Sequence, residues 1–400
     1  MSQKIYVTGI GIISAIGDNV EQTLDSLTRG KTGIGELELI DTIHKTRIKV
    51  GEVKHTNEEL IKRVGLPADT KITRTSLLGM IAAKEAMVWA GIKDTNDFRT
   101  GIVSATSVGG MAITENNFND YLNVEKTGDF LDYILTHDCG DSTEVMAKYL
   151  HIKDYVSTIS TACSSSANSI MLGARLIKNN MVDRVVVGGS DSLSKFTING
   201  FMTLMILDKE QCKPFDKDRK GLNLGEGAGF IVLESERAAA GKEILCELTG
   251  YGNSNDAYHQ TASSPTGDGA FLAIEKALRL SGLKPKDIDY INAHGTGTEV
   301  NDLSEGTAIH RIFGDAVPMI SSTKAFTGHT LGACGGIEAV LSVLAIKYNL
   351  VFPSLNFTNQ MNELKFRPST VLETEHPINH VLSNSFGFGG NSSALIFSRH

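Results

Sequence analysis

Cysteine, tryptophan and proline are scarce in this chain, and long basic or apolar runs are missing from it. The five cysteines are odd in number and contain no C-x-x-C pair, which argues against a disulfide framework and against a zinc site. No Lys/Arg run offsets the net charge of −8, so we expect no nucleic-acid binding. No stretch approaches the roughly 20 apolar residues of a membrane span, and the opening MSQKIYVTGIGIISAIG lacks the pattern of a signal peptide. We therefore expect a cytoplasmic protein without a membrane span.

What is present has the pattern of a layered globular protein. The 400 residues, 41% hydrophobic and 21% charged, suffice for one large core or two fused halves. Short β-branched runs predict buried strands at residues 5–8, 102–104, 185–187 and 230–233. Helical periodicity appears at residues 75–90, 164–178 and 335–348. This alternation predicts an α/β fold.

Two segments hint at an internal repeat. Residues 5–17 (IYVTGIGIISAIG) and 245–256 (LCELTGYGNSND) both contain a strand pattern that includes T-G-x-G. We divide the chain accordingly into an N-terminal half, residues 1–240, and a C-terminal half, residues 241–400. The segment from Glu234 to Lys242 (ESERAAAGK) is the predicted surface connection between them.

Cys163 stands in a run of small residues, STISTACSSSANSI, directly before apolar positions at helical spacing. The pattern predicts a turn between a strand and a helix. A helix N-terminus offers unpaired N–H groups and partial positive charge, which favour a nucleophilic thiolate. A buried structural cysteine fits this segment equally well when it is taken alone.

His294 ends a short apolar strand and opens a turn rich in glycine and threonine, NAHGTGTEVND. Thr296 and Thr298 are two residues apart, so their hydroxyls share one face of an extended backbone and are placed to bind the amides of a long polar arm. By itself the motif favours a plainer interpretation, a turn whose threonines satisfy their own backbone.

Lys324 and His329 precede a helix rich in small residues, in the run SSTKAFTGHTLGACGGIE. Each glycine costs a helix about 1 kcal/mol relative to alanine, so their accumulation predicts close packing or a close ligand. The alternative is tight helix packing with an incidental lysine and a histidine satisfied by its neighbours.

A glycine loop surrounds Phe388 in the segment LSNSFGFGGN. Such a loop adopts φ > 0 and points backbone N–H groups into a cavity, as an oxyanion hole requires, although a plain β-turn before a last strand is the alternative. Together the four segments supply a nucleophile, two imidazoles, a cation and oxyanion donors. That set is the requirement for acyl transfer coupled to carbanion formation.

The motifs TACSSS, NAHGTGT, SSTKxxTGHxLGA and NSFGFGG closely resemble those of the β-ketoacyl-acyl carrier protein synthases of type I/II. The resemblance extends in order over nearly the whole chain, to VTGIG at the start, PFDKDRKGLNLGEGAG at 214–229 and DAYH at 256–259. It implies an α/β, thiolase-like, duplicated five-layer αβαβα fold. It also implies a homodimer, with a heterodimer containing a chain-length-type subunit as the alternative.

The resemblance assigns a role to each motif residue. Cys163 matches the acylated nucleophile, His294 and His329 match the decarboxylation histidines, and Lys324 matches the active-site lysine. Thr296 and Thr298 match the threonines that bind phosphopantetheine, and Val108 and Phe386 are expected to make further substrate contacts. Phe388 matches the residue that supplies an oxyanion N–H and gates the acyl pocket, and Glu338 matches a supporting glutamate.

The implied activity is that of an acyltransferase, a 3-oxoacyl-[acyl-carrier-protein] synthase. It performs a decarboxylative Claisen condensation of an acyl thioester with malonyl-acyl carrier protein, in fatty-acid, polyene or polyketide biosynthesis. The reaction needs no metal, nucleotide or flavin, because the substrates arrive on the phosphopantetheine of the carrier. The carrier is acidic in this family, so the basic cluster of Lys62, Arg63, Lys71 and Arg74 is expected to attract it, unless that cluster is a solvated helix face.

Related activities fit less well. A thiolase would carry a second reactive cysteine where this chain has Phe388, and an initiating synthase would pair one histidine with an asparagine. A non-catalytic chain-length subunit would lack Cys163, although the chain could still be the active half of a heterodimer. Asn391-Ser392 replaces the usual Thr-Asn, and Ala15 replaces the usual proline. These departures bear on fine specificity, and acyl chain length and pathway stay open.

Overall fold

The computed structural model describes residues 3–400, and the strands in this part of the chain carry the fold. In chain order they are β1 (Tyr6–Ser14), β2 (Gly35–Glu36), β3 (Lys49–Val50), β4 (Thr100–Ala105), β5 (Tyr155–Ile159), β6 (Arg184–Asp191), β7 (Gly227–Glu234), β8 (Cys246–Asn255), β9 (Tyr290–Asn292), β10 (Met319–Ser321), β11 (His380–Phe386) and β12 (Asn391–Ser398).

Helices alternate with these strands. In chain order they are α1 (Val20–Thr28), α2 (Asn57–Val64), α3 (Arg74–Trp89), α4 (Met111–Asn116), α5 (Phe118–Leu122), α6 (Cys139–Tyr149), α7 (Ser165–Lys178), α8 (Lys195–Thr203), α9 (Glu236–Ala239), α10 (Asp268–Ser281), α11 (Glu299–Phe313), α12 (Lys324–Thr327) and α13 (Cys334–Tyr348). Short 3-10 helices cover Asp129–His137, Pro285–Asp287, Leu331–Ala333 and Phe388–Gly390.

Ten strands form one mixed sheet in the order β10-β9-β11-β12-β8-β1-β7-β6-β4-β5. In the first five-stranded unit β1, β7 and β6 are antiparallel neighbours, and β6, β4 and β5 run parallel. The second unit repeats this arrangement with β8, β12 and β11, followed by β11, β9 and β10. The units meet where Tyr6 and Val7 pair with Glu247 and Cys246. The strand order is therefore duplicated.

Helices cover both faces of each unit and produce five layers. Helices α3 and α6 pack on the outer face of the first unit, and α10, with α11 beside it, packs on the outer face of the second. Helices α7 and α13 lie between the units and contact strands of both. The predicted αβαβα arrangement is confirmed.

The repeated T-G-x-G pattern has a packing cause. A Cβ on Gly9 or Gly11 of β1 would lie 2.1 or 2.0 Å from backbone oxygens of α3. On Gly250 or Gly252 of β8 it would lie 2.4 or 2.1 Å from backbone oxygens of α10. Each outer helix thus rests directly on the first strand of its unit, an approach that a residue with a side chain would prevent.

Helix α13 is buried on all sides because it belongs to the middle layer. The expectation that no stretch approaches a membrane span is wrong for the segment Leu331–Tyr348, which has the required length and apolar character. However, 89% of this segment is buried inside the protein, as in a core helix. A Cβ on Gly336 would lie 2.3 Å from the backbone oxygen of Gly229 on β7. Close packing therefore explains the glycines at this helix start.

The predicted elements overlap the observed ones. The three predicted helices correspond to α3, α7 and α13 with ends that differ by at most one residue. The predicted surface connection is partly wrong, because it contains α9 and begins at Glu234, which is fully buried. Glu234 forms ion pairs with Arg184 and Lys242, so this segment is held to the sheet.

Candidate active site

Cys163 lies at the turn between β5 and α7, as predicted, and the next residue, Ser164, is the N-cap of the helix. Ala162 has a φ of 54°, a left-handed conformation that is uncommon for a residue other than glycine. Strained residues of this kind cluster at functional turns. The Cys163 side chain is 6% exposed and lines a cavity of about 300 Å³.

Two histidines from the C-terminal half face this thiol. One ligand atom from each of Cys163, His294 and His329 lies within 4.8 Å of the other two. The imidazole rings meet edge to face, with centroids 5.5 Å apart and planes at 82°. His294 follows β9 and His329 precedes α13, so the fold brings together residues that are far apart in the chain.

Hydrogen bonds at Nδ1 set the tautomer of both rings. Nζ of Lys324 lies 3.2 Å from Nδ1 of His294, and an ammonium group is a donor only. The backbone N–H of Leu331 donates to Nδ1 of His329 over 3.1 Å. Each Nδ1 therefore accepts, and in the neutral ring the proton sits on Nε2. Both imidazoles thus present an N–H donor on the side away from these contacts.

Burial and neighbouring charges fix the protonation states of His294 and Lys324. Burial, followed by the neighbouring Lys324 charge, holds the pKa of His294 well below its usual value, so the ring is neutral. Lys324 forms a buried ion pair with Glu338. Burial alone would lower the pKa of Lys324, but the Glu338 carboxylate outweighs it and the pKa is raised. Lys324 therefore remains a cation and keeps Nδ1 of His294 an acceptor.

One cysteine and two histidines are also a donor set that zinc accepts. Metal-bound histidines, however, donate their second ring N–H to an acceptor. Here both Nδ1 atoms face donors, from Lys324 and Leu331, so a metal at Nε2 would have to break both hydrogen bonds. The arrangement favours N–H donation over metal ligation.

Thr296 and Thr298 line the same cavity, and their hydroxyl oxygens are 2.9 Å apart, so the two side chains share a face as predicted. Two carboxylates missed from the sequence hold this turn. Glu305 of α11 accepts the N–H of His294 over 2.9 Å, and Asp302 accepts the N–H of Gly297 over 3.2 Å. Burial raises the pKa of Glu305 to about 7. Their only sequence signal is their position in the helix that follows the turn.

The loop around Phe388 connects β11 to β12, so the turn expected as the alternative is present as well. The N–H groups of Gly387, Gly389 and Gly390 donate within the chain, whereas that of Phe388 has no acceptor among residues 3–400. A Cβ on Gly387 would lie 3.2 Å from the backbone nitrogen of Cys163. The loop therefore packs where the oxyanion hole is expected.

Aromatic rings complete the cavity wall. The Phe386 ring lies 5.8 Å from the His294 ring, and Phe388 stacks on Phe201 with centroids 5.8 Å apart. Phe201 belongs to α8, and no feature of the sequence indicates its role. Val108 does not join this wall in the described part of the chain. It packs instead against the apolar cluster around Leu193, which also includes Phe201 of the wall.

The basic cluster expected to attract a carrier is largely engaged in internal ion pairs. Arg74 donates to both carboxylate oxygens of the buried Glu226. Lys71 pairs with Asp132, and Arg63 also has an acidic partner. The prediction is wrong for Arg74, because its charge is directed into the protein and neutralised there.

Sequence comparison with protein families decides the identity of this site. The family model described as "Beta-ketoacyl synthase, N-terminal domain" matches residues 2–239, and "Beta-ketoacyl synthase, C-terminal domain" matches residues 245–358. The chain belongs to the β-ketoacyl synthase family. This ketosynthase is therefore a condensing enzyme of the acyltransferase class, and the identification from its motifs is confirmed.

Individual relatives match this ketosynthase over its full length. The 3-oxoacyl-[acyl-carrier-protein] synthase 2 of Staphylococcus aureus (strain N315) is 33% identical over 414 residues, with 100% of this chain and 99% of the relative covered. The solved ishigamide ketosynthase/chain length factor has a TM-score of 0.92 at 30% identity, with 100% of both chains covered. The ketosynthase ApeO, solved in complex with its chain length factor ApeC from Xenorhabdus doucetiae, has a TM-score of 0.85 at 31% identity, with coverage of 100% and 98%. The predicted thiolase-like α/β fold is confirmed.

Proposed function

We propose that this ketosynthase condenses an acyl group held on Cys163 with malonyl-acyl carrier protein, by decarboxylative Claisen condensation. The observation that carries the proposal is the convergence of Cys163, His294 and His329 within 4.8 Å. A thiol supplies the nucleophile, and two imidazole N–H donors supply stabilisation for an oxyanion that forms only as a carboxylate leaves.

In the first step the Cys163 sulfur attacks the carbonyl of an acyl-carrier thioester. The N-terminus of α7 stabilises negative charge on the sulfur. Backbone N–H groups of Cys163 and Phe388 hold the oxyanion of the tetrahedral intermediate. Collapse of that intermediate breaks the carbon–sulfur bond to the carrier, whose thiolate leaves and takes up a proton. The acyl group is then bound to Cys163.

In the second step a malonyl-carrier thioester enters, with its arm against the hydroxyls of Thr296 and Thr298. The Nε2–H groups of His294 and His329 donate to the thioester oxygen. The bond to the carboxylate breaks, carbon dioxide leaves, and its electron pair forms an enolate on that oxygen. Two imidazole N–H donors held in place by the fold stabilise this charge as it develops.

In the third step the enolate carbon attacks the acyl carbonyl on Cys163. The new carbon–carbon bond forms, the Cys163 thiolate is expelled, and the β-ketoacyl-carrier product departs. Lys324 and Glu338 take no part in bond changes. They keep the His294 tautomer that the second step requires. No metal, nucleotide or flavin enters any of these steps.

We infer that the carrier protein docks at the mouth of the cavity. Lys220 is exposed and lines it, and it is the one Lys or Arg side chain in the wall that the described residues form. Met205, 87% exposed, lies on the same rim and offers an apolar contact. The exposed Glu299 also lines the cavity and opposes an acidic partner. The attraction for an acidic carrier is therefore local to the Lys220 side of the mouth.

We propose a homodimer built on an apolar face in the segment 118–135. This face includes Val124, 92% exposed, and Leu135, 72% exposed, and exposed patches of this kind mark interaction sites. The edge strand β5 is half-exposed along its whole length and leaves one side open for pairing. A second copy of this chain can pair its own edge strand with β5. The ketosynthases solved with a chain length factor support a heterodimer as the alternative.

We further propose that residues 1–240 and 241–400 are the two thiolase-like halves of the chain. The repeated strand order supports this division. The first half contributes Cys163, and the second contributes both histidines, Lys324 and the glycine loop. We also propose that the enzyme acts in the cytoplasm, on the basis of its composition.

The test separates loading from decarboxylation. Adduct formation on Cys163 is measured by intact mass, and carbon dioxide release is measured from malonyl-carrier thioester. His294→Ala and His329→Ala are each expected to spare adduct formation and to slow carbon dioxide release by about two to three decades, because each removes one donor to the oxyanion. His310→Ala, at a half-buried histidine of α11 outside the cavity wall, is the control and should leave both rates unchanged. If the two histidine variants decarboxylate at the parent rate but fail to acylate, the histidines serve Cys163 and not the malonyl group.

A further inference from the structure

Asn391 closes the glycine loop and also reaches the nucleophile turn. Its backbone oxygen accepts the N–H of Gly387 over 2.8 Å. Its side-chain Oδ1 accepts from Oγ of Ser164 at 2.7 Å, from Nδ2 of Asn253 at 2.8 Å and from Nδ2 of Asn168 at 2.9 Å. A single amide oxygen thus receives three donors.

These donors belong to the elements on which the site depends. Ser164 follows Cys163 and caps α7, and Asn168 lies one turn further along that helix. Asn253 lies on β8, which pairs with β12. The side chain of Asn391 therefore joins the loop, the nucleophile helix and the sheet, across 227 positions of sequence in the case of Ser164.

The loop requires such a link because its own backbone is adaptable. Gly389 and Gly390 have φ values of 78° and 81°, and glycine moves between backbone conformations at little cost. Other hydrogen bonds of the loop lead elsewhere. Gly389 donates to the oxygen of Gln260 and accepts from Nδ2 of Asn255, both in the segment at the end of β8. Among residues 3–400, the loop's hydrogen bonds to the Cys163 turn come from Asn391.

We propose that Asn391 is a positioning residue that sets the separation between the two oxyanion donors, the N–H groups of Cys163 and Phe388. This inference rests on the proposed function, since these donors act only when the acyl carbonyl at Cys163 becomes an oxyanion. The two N–H groups lie on separate segments, and both must reach one oxygen at about 2.7–3.1 Å. A neutral amide oxygen suits this position, because a carboxylate would oppose the developing negative charge.

Removal of the amide should leave the fold intact, because its donors have second acceptors. The single hydroxyl proton of Ser164 has a second acceptor in the backbone oxygen of Thr161, 2.8 Å from Oγ. Nδ2 of Asn168 also donates to Oγ1 of Thr161 over 2.9 Å. Asn391→Ala therefore tests the position of the loop more than the stability of the protein.

Two rates distinguish positioning from folding. Acylation of Cys163 by a short acyl-pantetheine thioester uses the oxyanion hole, whereas alkylation of Cys163 by iodoacetamide does not. Asn391→Ala is expected to slow acylation about tenfold to a hundredfold, as small misplacements do, and to leave alkylation within about threefold of the parent rate. Ser393→Ala is the control, since its hydroxyl donates to Asn168 in the same network without contacting Oδ1 of Asn391. It should change neither rate.

A double-mutant cycle with Ser164→Ala tests the route of the effect. If Asn391 acts through Ser164, the losses in acylation overlap in the double variant instead of multiplying. Acylation by Asn391→Ala at the parent rate overturns the proposal, and so does an equal fall in acylation and alkylation, which indicates a structural role. A parent enzyme that forms no adduct on Cys163 refutes the proposed function itself and removes this inference with it.

Discussion

Replacement of Lys324 by methionine perturbs two neighbours at once. The Lys324 and Glu338 side chains are 2% and 3% exposed, so the substitution leaves a carboxylate buried without its partner. Breaking a buried ion pair in this way costs about 3–5 kcal/mol of unfolding free energy. Replacing both residues by methionine removes the unpaired charge, so Lys324→Met/Glu338→Met should recover most of that loss. Urea unfolding followed by circular dichroism measures both effects.

Activity should not recover with stability. In both variants Nδ1 of His294 loses the ammonium that makes it an acceptor, and the Nε2–H tautomer is no longer enforced. Loss of one oriented donor to an oxyanion costs about 10²–10³ in rate. Decarboxylation of malonyl-carrier thioester should therefore fall by that factor in the single and the double variant alike, while acylation of Cys163 is largely kept.

The direction in which the pKa of His294 changes is a second, independent test of the role of Lys324. The Lys324 charge contributes to the lowered pKa of His294, so its removal moves that pKa upward, and an unpaired Glu338 moves it further. His294 should consequently gain its proton at higher pH in Lys324→Met than in the parent, which a pH titration of the histidine NMR resonances measures. Parent-rate decarboxylation by Lys324→Met would refute this reasoning, and equal stability of the single and double variants would refute the account of the ion pair.

Three further outcomes are expected. Brief treatment with a thiol-directed electrophile near neutral pH should label Cys163 first, because burial raises the pKa of the other buried thiols, and peptide mapping checks this. Lys220→Glu should raise the KM for carrier-bound substrate roughly three- to tenfold and weaken its salt dependence. Lys209→Glu, at another exposed lysine, is the control, and equal effects of the two variants would disprove a specific role of Lys220 in carrier docking. Leu135→Glu should shift the enzyme toward monomer in analytical ultracentrifugation, whereas Val371→Glu, also at an exposed apolar residue, should not.

Local chemistry was predictable where a motif carries its own geometry. The turn at Cys163 followed from small residues before a helical repeat, and the shared face of Thr296 and Thr298 followed from their spacing. The α/β layers followed from alternating strand and helix patterns. Such features depend on neighbours in the chain, and the identity of the family depended on four motifs taken together.

Contacts between distant segments were decided by the tertiary structure. The charge of Arg74 is directed to Glu226, so a residue that the sequence places in a basic cluster is unavailable to a partner. The donors at Nδ1 of His294 and His329, and the link from Asn391 to Ser164, likewise join residues that no local pattern connects. A sequence specifies which groups are present and how neighbours are spaced, but the orientation of a buried polar group depends on partners that only the packed layers bring within hydrogen-bond distance.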